Sequence, residues 1–381
     1  MKHYHYILII TILSLMTCKN ERFSDEVLIA KKEYLFSKIL NEKRELLIHI
    51  PHEYNTNYPK ARYPVLYVLD PEAHFLPIAG IIDRLSTNIG EEICPQMIIV
   101  GIKNTERVRD MFPINDEDNF QKFMEQELIP YIEKKYPTRP FRLLYGHSIT
   151  GLRTVHTAIF NEDLFNAYIA IDPSLCHEYC EWYEKFNHQI TNFELKTNRM
   201  FIAMANTMNG KDTIDIKKDT SGNASHMNSI MNFANLLSKK NNSKKLFSWK
   251  YYPDYSHNGV TLQATLDGFE SIFSWYKNDS YNIIFDDEST PEQAIKAFIN
   301  HYEKLSEVLG YTEIPRQELV SNIVWYLTYI KKKPEIAVLF AQMNLKNYPQ
   351  SQPAKEQLKQ VENEIDKIDK TPNTVHDDHV G

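Results

Sequence analysis

Cysteine is scarce, with four in 381 residues. One of them, Cys18, ends an N-terminal apolar segment. The other three, Cys94, Cys176 and Cys180, are too few and odd in number for a disulfide-stapled scaffold. Positive charge is also in deficit. Lys and Arg total 43 against 50 Asp and Glu, a net charge of −7, which excludes the broad basic surface of a nucleic-acid binder. Long apolar runs are missing beyond the N-terminus, where no window approaches the ~20 residues of a membrane-spanning helix. Nothing calls for a metal or an organic cofactor. What is present, 43% hydrophobic and 12% aromatic residues, suffices for one large α/β domain and a smaller one.

The N-terminus reads as a targeting segment. Lys2 precedes Ile7 to Met16, an apolar core of signal-peptide length and too short to span a bilayer. Leu15-Met16-Thr17-Cys18 resembles a bacterial lipobox, although Thr17 stands where glycine, alanine or serine is usual. The expectation is removal of 1–18, lipidation at Cys18 and an exported protein, periplasmic or at the cell surface, held to the membrane only by that lipid. An ordinary secretory signal is the alternative, and 19–31 reads as a polar tether. Cys176 and Cys180 are spaced for one helical turn. They read as a disulfide formed outside the cytoplasm, as a metal site with His177, or as two small buried residues, and the last is the plainest.

The rest of the chain is organised around 139–160. Phe141 to Tyr145 is a short apolar run that reads as a buried strand. Gly146-His147-Ser148-Ile149-Thr150-Gly151 follows, and then Leu152, Val155, Ala158 and Ile159 recur at helical spacing. Strand, tight turn with a serine at its apex, and helix together form the context of a nucleophile elbow. Such a turn projects the hydroxyl clear of both elements, and the helix start aims free N–H groups at developing negative charge. Thr150 occupies the fifth position, where glycine normally lets the helix pack closely. A β-branched residue there is expected to cost space.

Around the elbow, strands and helices alternate. Arg44–Pro51, Tyr63–Leu69, Met97–Ile102, Ala167–Ile171, Arg199–Ala205 and Phe247–Tyr252 read as strands. Ile78–Leu85, Asn119–Lys135, Met227–Leu237 and Leu262–Trp275 read as helices. The pattern predicts an α/β fold, a doubly wound and mostly parallel sheet, with ligands at the carboxyl ends of its strands.

A hydrolytic serine needs a base. His257, in the loop between the last strand and the last helix, lies in the required chain order. His147 sits inside the elbow and is expected to face away from the serine, His156 lies on the elbow helix, and His226 is expected as a polar contact at the pocket rim. The acid is sought after the strand ending near Asn206. Asp212 lies nearest and is the first choice, with Asp219 as the alternative, and a Ser–His pair without an acid stays open. The oxyanion donors are expected to be the backbone N–H groups of Ile149 and Glu72, because Pro71 has none. Arg107 and Arg153 either meet an anionic substrate or form structural pairs.

Several collinear stretches carry a wider resemblance: Tyr63 to Asp70, Val100-Gly101-Ile102 with Arg107 to Asp110, Glu127 to Glu133, Tyr145 to Ser148, Asp172-Pro173-Ser174, and Tyr252-Pro253-Asp254 with His257. Over about 33–278 the chain resembles the putative esterase family of α/β-hydrolases, which includes enterochelin and ferric siderophore esterases, S-formylglutathione hydrolases, feruloyl esterases and mycolyltransferases. The resemblance implies Ser148 as nucleophile, His257 as base, an acyl-enzyme and a small-molecule ester as substrate, siderophore-like or carbohydrate-linked. Some siderophore esterases of this kind work without an acid, so the family leaves that residue open. Pro71 and Thr150 replace glycines of the family pattern, and both touch the oxyanion region. An acyltransferase of the same fold, or a decayed hydrolase acting as a surface binding protein, is the alternative.

From Asp286 the pattern changes to helices over Pro291–Leu309, Arg316–Lys331, Pro334–Asn347 and Gln352–Ile368. Leu327, Ala337, Phe340, Asn344, Tyr348 and Pro349 resemble a degenerate tetratricopeptide hairpin. The segment 286–368 is expected to pack as a small all-α appendage or to bind a protein partner, with 369–381 as a disordered tail.

Overall fold

The computed structural model describes residues 28–51, 62–87, 92–113, 117–176, 180–208, 221–240 and 246–370. An eight-stranded sheet runs in the order β1-β2-β4-β3-β5-β6-β7-β8. Its strands are β1 Lys31–Ser37, β2 Glu42–His49, β3 Tyr63–Leu69, β4 Ile98–Ile102, β5 Thr138–His147, β6 Ala167–Ile171, β7 Arg199–Ala205 and β8 Phe247–Tyr252. The two N-terminal strands pair antiparallel at one edge, and the six from β4 to β8 are parallel.

The sequence accounts for this division. Every residue of β3, β4 and β6 is buried, as continuous apolar runs covered on both faces require. β1 alternates exposed and part-buried residues, as suits an edge strand.

Helices cover both faces. On one face lie the helical stretch 119–135, with one π-turn at Met124–Leu128, the elbow helix Ile149–Phe160 and the helix Gly222–Lys240. They bury Phe123, Leu152, Val155 and Phe233 against β3, β5 and β6. On the other face lie α1, Pro71–Thr87, and the helix Thr261–Ile272, which bury Phe75, Ile78, Ala264 and Phe269.

The C-terminal helices are Pro291–Leu309, Gln317–Trp325 continuing through a π-turn to Ile330, Pro334–Asn347 and Gln352–Asp369. Phe298, Val324, Leu327 and Phe340 form a separate core there. The segment is docked rather than tethered. Leu305 and Leu309 join the second face of the sheet, Arg316 pairs with Glu92 at 3.0 Å, and Arg139 lies over the Tyr311 ring.

Cys176 and Cys180 are joined as a disulfide, not held as two free buried thiols or a metal site, and Cys94 is free and buried. Residues 1–27 and 371–381 lie outside the described residues, and with them Cys18 and the C-terminal tail.

Candidate active site

The carboxyl ends of three neighbouring strands carry the site. Asp70 follows β3, Ser148 follows β5 and Asp172 follows β6, and all three are non-glycine residues with positive φ, of 49°, 61° and 41°. A bulky residue in that region is held against a cost of order 1–3 kcal/mol. Ser148 is held by its backbone. Its N–H donates to the Ile171 carbonyl and its own carbonyl accepts from Leu152 and Ser174, each at 3.0 Å.

Gly146 permits the turn, since a Cβ there would collide with the Thr150 carbonyl. Thr150 does not cost the space its shape suggested. It is fully buried, and its hydroxyl accepts from the His147 N–H at 2.9 Å and donates to the His147 carbonyl at 2.8 Å, tying the turn. The close approach falls to the next residue. A Cβ on Gly151 would meet Pro173 and the Ile171 carbonyl at 3.0–3.1 Å.

The structure brings Ser148 and His257 together. The serine Oγ lies 2.9 Å from His257 Nε2, and His257 Nδ1 lies 2.6 Å from Asp172 Oδ2. An ionised carboxylate only accepts, so Nδ1 carries the proton and Nε2 is free to accept from the serine hydroxyl. The carboxylate on His257 is neither Asp212 nor Asp219, which lie outside the described residues. It is Asp172, one strand nearer the elbow than the expected position after β7. The sequence signal for it was present in an apolar strand that ends in Asp172-Pro173 beside the elbow. Asp172 precedes the loop after β7 by about 35 residues of chain, so the order of elements alone does not select it.

Asp172 is fully buried. Burial opposes its ionisation, but hydrogen bonds from His226 and His257 outweigh that and hold the carboxyl well below its usual range. Its other oxygen accepts from the Ala205 N–H at 2.8 Å. His226 thus touches the acid itself, at 3.1 Å, where the sequence suggested a contact at the rim.

His147 also departs from expectation. Its ring lines the pocket with Ser148, and its Nε2 lies 2.9 Å from the backbone carbonyl of His257. A carbonyl cannot donate, so His147 donates from Nε2 and steadies the loop that carries His257. Burial, then the neighbouring His257, pushes its pKa down to about 4, so the ring is neutral at neutral pH. His156, by contrast, is buried on the elbow helix itself and accepts from Trp182 Nε1 at 3.1 Å.

Among the described residues, Asp172, His226 and His257 are the trio whose donor atoms lie near enough to share a metal ion. Each facing atom is already engaged in an N–H···O bond within the trio, which makes it a hydrogen-bonded cluster.

In front of Ser148 opens a pocket of about 700 Å³. Its lining residues include Glu72, His74, Asn104, Arg107, Asn258 and Thr261, and its surface is about half apolar. Glu72 and Ile149 lie in the first turns of α1 and the elbow helix, where backbone N–H groups have no intrahelical acceptor. Arg107 grips Asp70 with two nitrogens, at 3.0 Å from Nε and 2.6 Å from Nη2, so its charge is largely matched. Arg153 is fully buried and bound to Asp118 and to the Asp110 carbonyl, which makes it a structural pair.

A sequence profile described as putative esterase matches residues 37–264. Among curated proteins, the chain is 29% identical over 161 residues to the ferri-bacillibactin esterase BesA of Bacillus subtilis, covering 35% of this chain and 55% of that one. It is 25% identical over 150 residues to the uncharacterised Bacillus subtilis protein YjcH, covering 38% and 61%. The chain therefore aligns with less than two thirds of either relative's length. Among solved structures, an IroE-like serine hydrolase from Shewanella oneidensis is similar at 26% identity and a TM-score of 0.67, covering 83% of this chain and 99% of that one. The siderophore hydrolase EstB from Aspergillus nidulans has a TM-score of 0.53 at 18% identity, covering 66% and 97%, a likeness of fold alone.

Proposed function

The chain belongs to the putative esterase family, and from that premise we propose that it is an ester hydrolase in which Ser148 is the nucleophile, His257 the base and Asp172 the acid. The observation that carries the reading is the unbroken line from Ser148 Oγ through His257 to Asp172, at 2.9 and 2.6 Å. His257 takes the hydroxyl proton at Nε2 as Ser148 Oγ attacks the ester carbonyl. Asp172 stabilises the imidazolium that forms. The N–H groups of Ile149 and Glu72 receive the developing oxyanion. His257 then gives its proton to the leaving alkoxide, and a water attacks the acyl-enzyme by the reverse sequence.

The polar side chains around the pocket, among them Asn104, Asn258 and Thr261, offer hydrogen bonds to an ester that carries hydroxyl or amide groups. A siderophore ester is the first substrate class to try, supported by the likeness to BesA, with carbohydrate-linked esters second. Export with lipidation at Cys18 belongs to the same reading. It rests on Lys2, the apolar run Ile7 to Met16 and the lipobox-like end, and the Cys176–Cys180 disulfide supports an oxidising compartment.

The test is fluorophosphonate labelling of the folded protein beside Ser148→Ala and His257→Ala. Labelling of the wild type and its loss in both variants is the expected outcome. A folded wild type that takes no label, or a Ser148→Ala protein that still turns over esters, overturns the reading.

A further inference from the structure

We propose that His226 is a positioning residue for the acid, sharing one oxygen of Asp172 with His257 and thereby setting how strongly that carboxylate supports the His257 imidazolium. The inference rests on the serine-hydrolase reading above and adds a fourth residue to it.

The geometry is specific. Asp172 Oδ2 accepts from His257 Nδ1 at 2.6 Å and from His226 Nε2 at 3.1 Å, while Oδ1 accepts from Ala205. The carboxylate is fully buried and sits on a strained backbone. Its side-chain orientation therefore depends on these three donors. Two come from side chains on different elements, His226 from the start of the helix Gly222–Lys240 and His257 from the loop after β8. The two imidazole rings meet edge to face at 5.5 Å, and His147 lies against the far side of His257 at 4.7 Å. The titratable groups facing the histidine pair are thus Asp172, which attracts a proton to both rings, and His147, which is neutral.

A donor on Oδ2 draws negative charge away from the side facing His257. That weakens the carboxylate's hold on the imidazolium that forms in the reaction. Removing the donor has the opposite sign. The undivided carboxylate supports the imidazolium more strongly, and the acid limb of kcat/KM moves to higher pH.

Ester hydrolysis by the full chain is followed from about pH 5 to 9 for the wild type, His226→Gln and His226→Leu, with melting curves for each. The glutamine amide keeps a donor at the place of Nε2, and leucine keeps bulk without one. The expected result is an acid limb moved up by about one pH unit in His226→Leu, with kcat/KM roughly tenfold lower on that limb and about threefold lower at neutral pH. His226→Gln should stay within about threefold of the wild type with its limb in place. Equal profiles for the wild type and a folded His226→Leu overturn the role. So does a limb that moves equally in both variants.

Nitrogen NMR of the wild type gives an answer that needs no substitution. His226 must carry its proton on Nε2 through the active range, and a bare Nε2 overturns the proposal. A wild type that neither hydrolyses esters nor takes a fluorophosphonate label overturns the serine-hydrolase reading itself, a failure distinct from an active enzyme indifferent to His226.

Discussion

In the C-terminal helices the chain mostly obeys local backbone rules, with Lys332, at φ 55° in the turn before Pro334, as the non-glycine exception among the described residues there. Thr290 caps the helix Pro291–Leu309 in a reciprocal box with Gln293, proline takes its first position, and Gly310 ends it in the left-handed conformation. At the carboxyl edge of the sheet the same chain breaks those rules at three neighbouring strand ends, where Asp70, Ser148 and Asp172 take positive φ without being glycine. The helices form their own small core around Phe298 and Phe340, whereas the strained edge is backed by two large apolar layers. A backbone can be held in an unfavourable conformation only where the surrounding packing is strong enough to impose it. The line from Ser148 through His257 to Asp172 lies on that heavily packed edge.

The largest expected effect lies at the strained edge. Asp172→Asn should lower kcat roughly 10³–10⁴-fold, because an amide cannot stabilise the His257 cation and can present the wrong tautomer to it. Its stability loss should be smaller, about 1–3 kcal/mol. Steady-state kinetics beside thermal melting separates the two, and equal turnover in the folded variant would remove Asp172 from the site.

Acid stability sharpens the contrast next. His147 and His156 in the sheet region and His301 in the helices all have folded pKa values pushed down to about 4, chiefly by burial, below the ~6.5 of an unfolded histidine. The unfolded chain therefore binds protons first. The stability these neutral rings contribute is full above about pH 6.5 and is lost as pH falls toward 4. Each contributes a slope of at most about 1.4 kcal/mol per pH unit. Denaturant melts at several pH values should flatten in His147→Gln and in His301→Gln alike, by up to one proton each. No flattening in His147→Gln would mean that its ring is already charged in the folded protein.

Ser148→Gly should abolish turnover yet raise stability by about 1 kcal/mol, since glycine relieves a positive φ at some entropic cost. A fall in melting temperature would show that the elbow is not strained. The smallest effect belongs to the helices. Thr290→Ala should cost about 1 kcal/mol through loss of the cap and leave kcat/KM unchanged, which thermal melting and an ester assay together would check.

The strand, turn and helix around Ser148 were legible in the sequence because they are contiguous, and the nearness of His257 to Ser148 because its place follows from chain order. The fully buried strands announced themselves as unbroken apolar runs, and the C-terminal helices through Thr290, Pro291 and Gly310. Thr150 was misjudged because its bulk was visible and its two hydrogen bonds to His147 were not. His147 looked turned away because neighbours in sequence alternate sides along a strand, a rule that lapses where the strand becomes the turn.

The sequence by itself determined the alternation of strand and helix, the elbow and the order in which its histidine follows, all of which depend on periodicity and local sterics. Only the tertiary structure decided which carboxylate meets His257 and that His226 meets the same oxygen. Those contacts span 85 and 54 residues of chain. They exist because β6, β7 and β8 lie side by side in the sheet, a neighbour relation that no local pattern encodes.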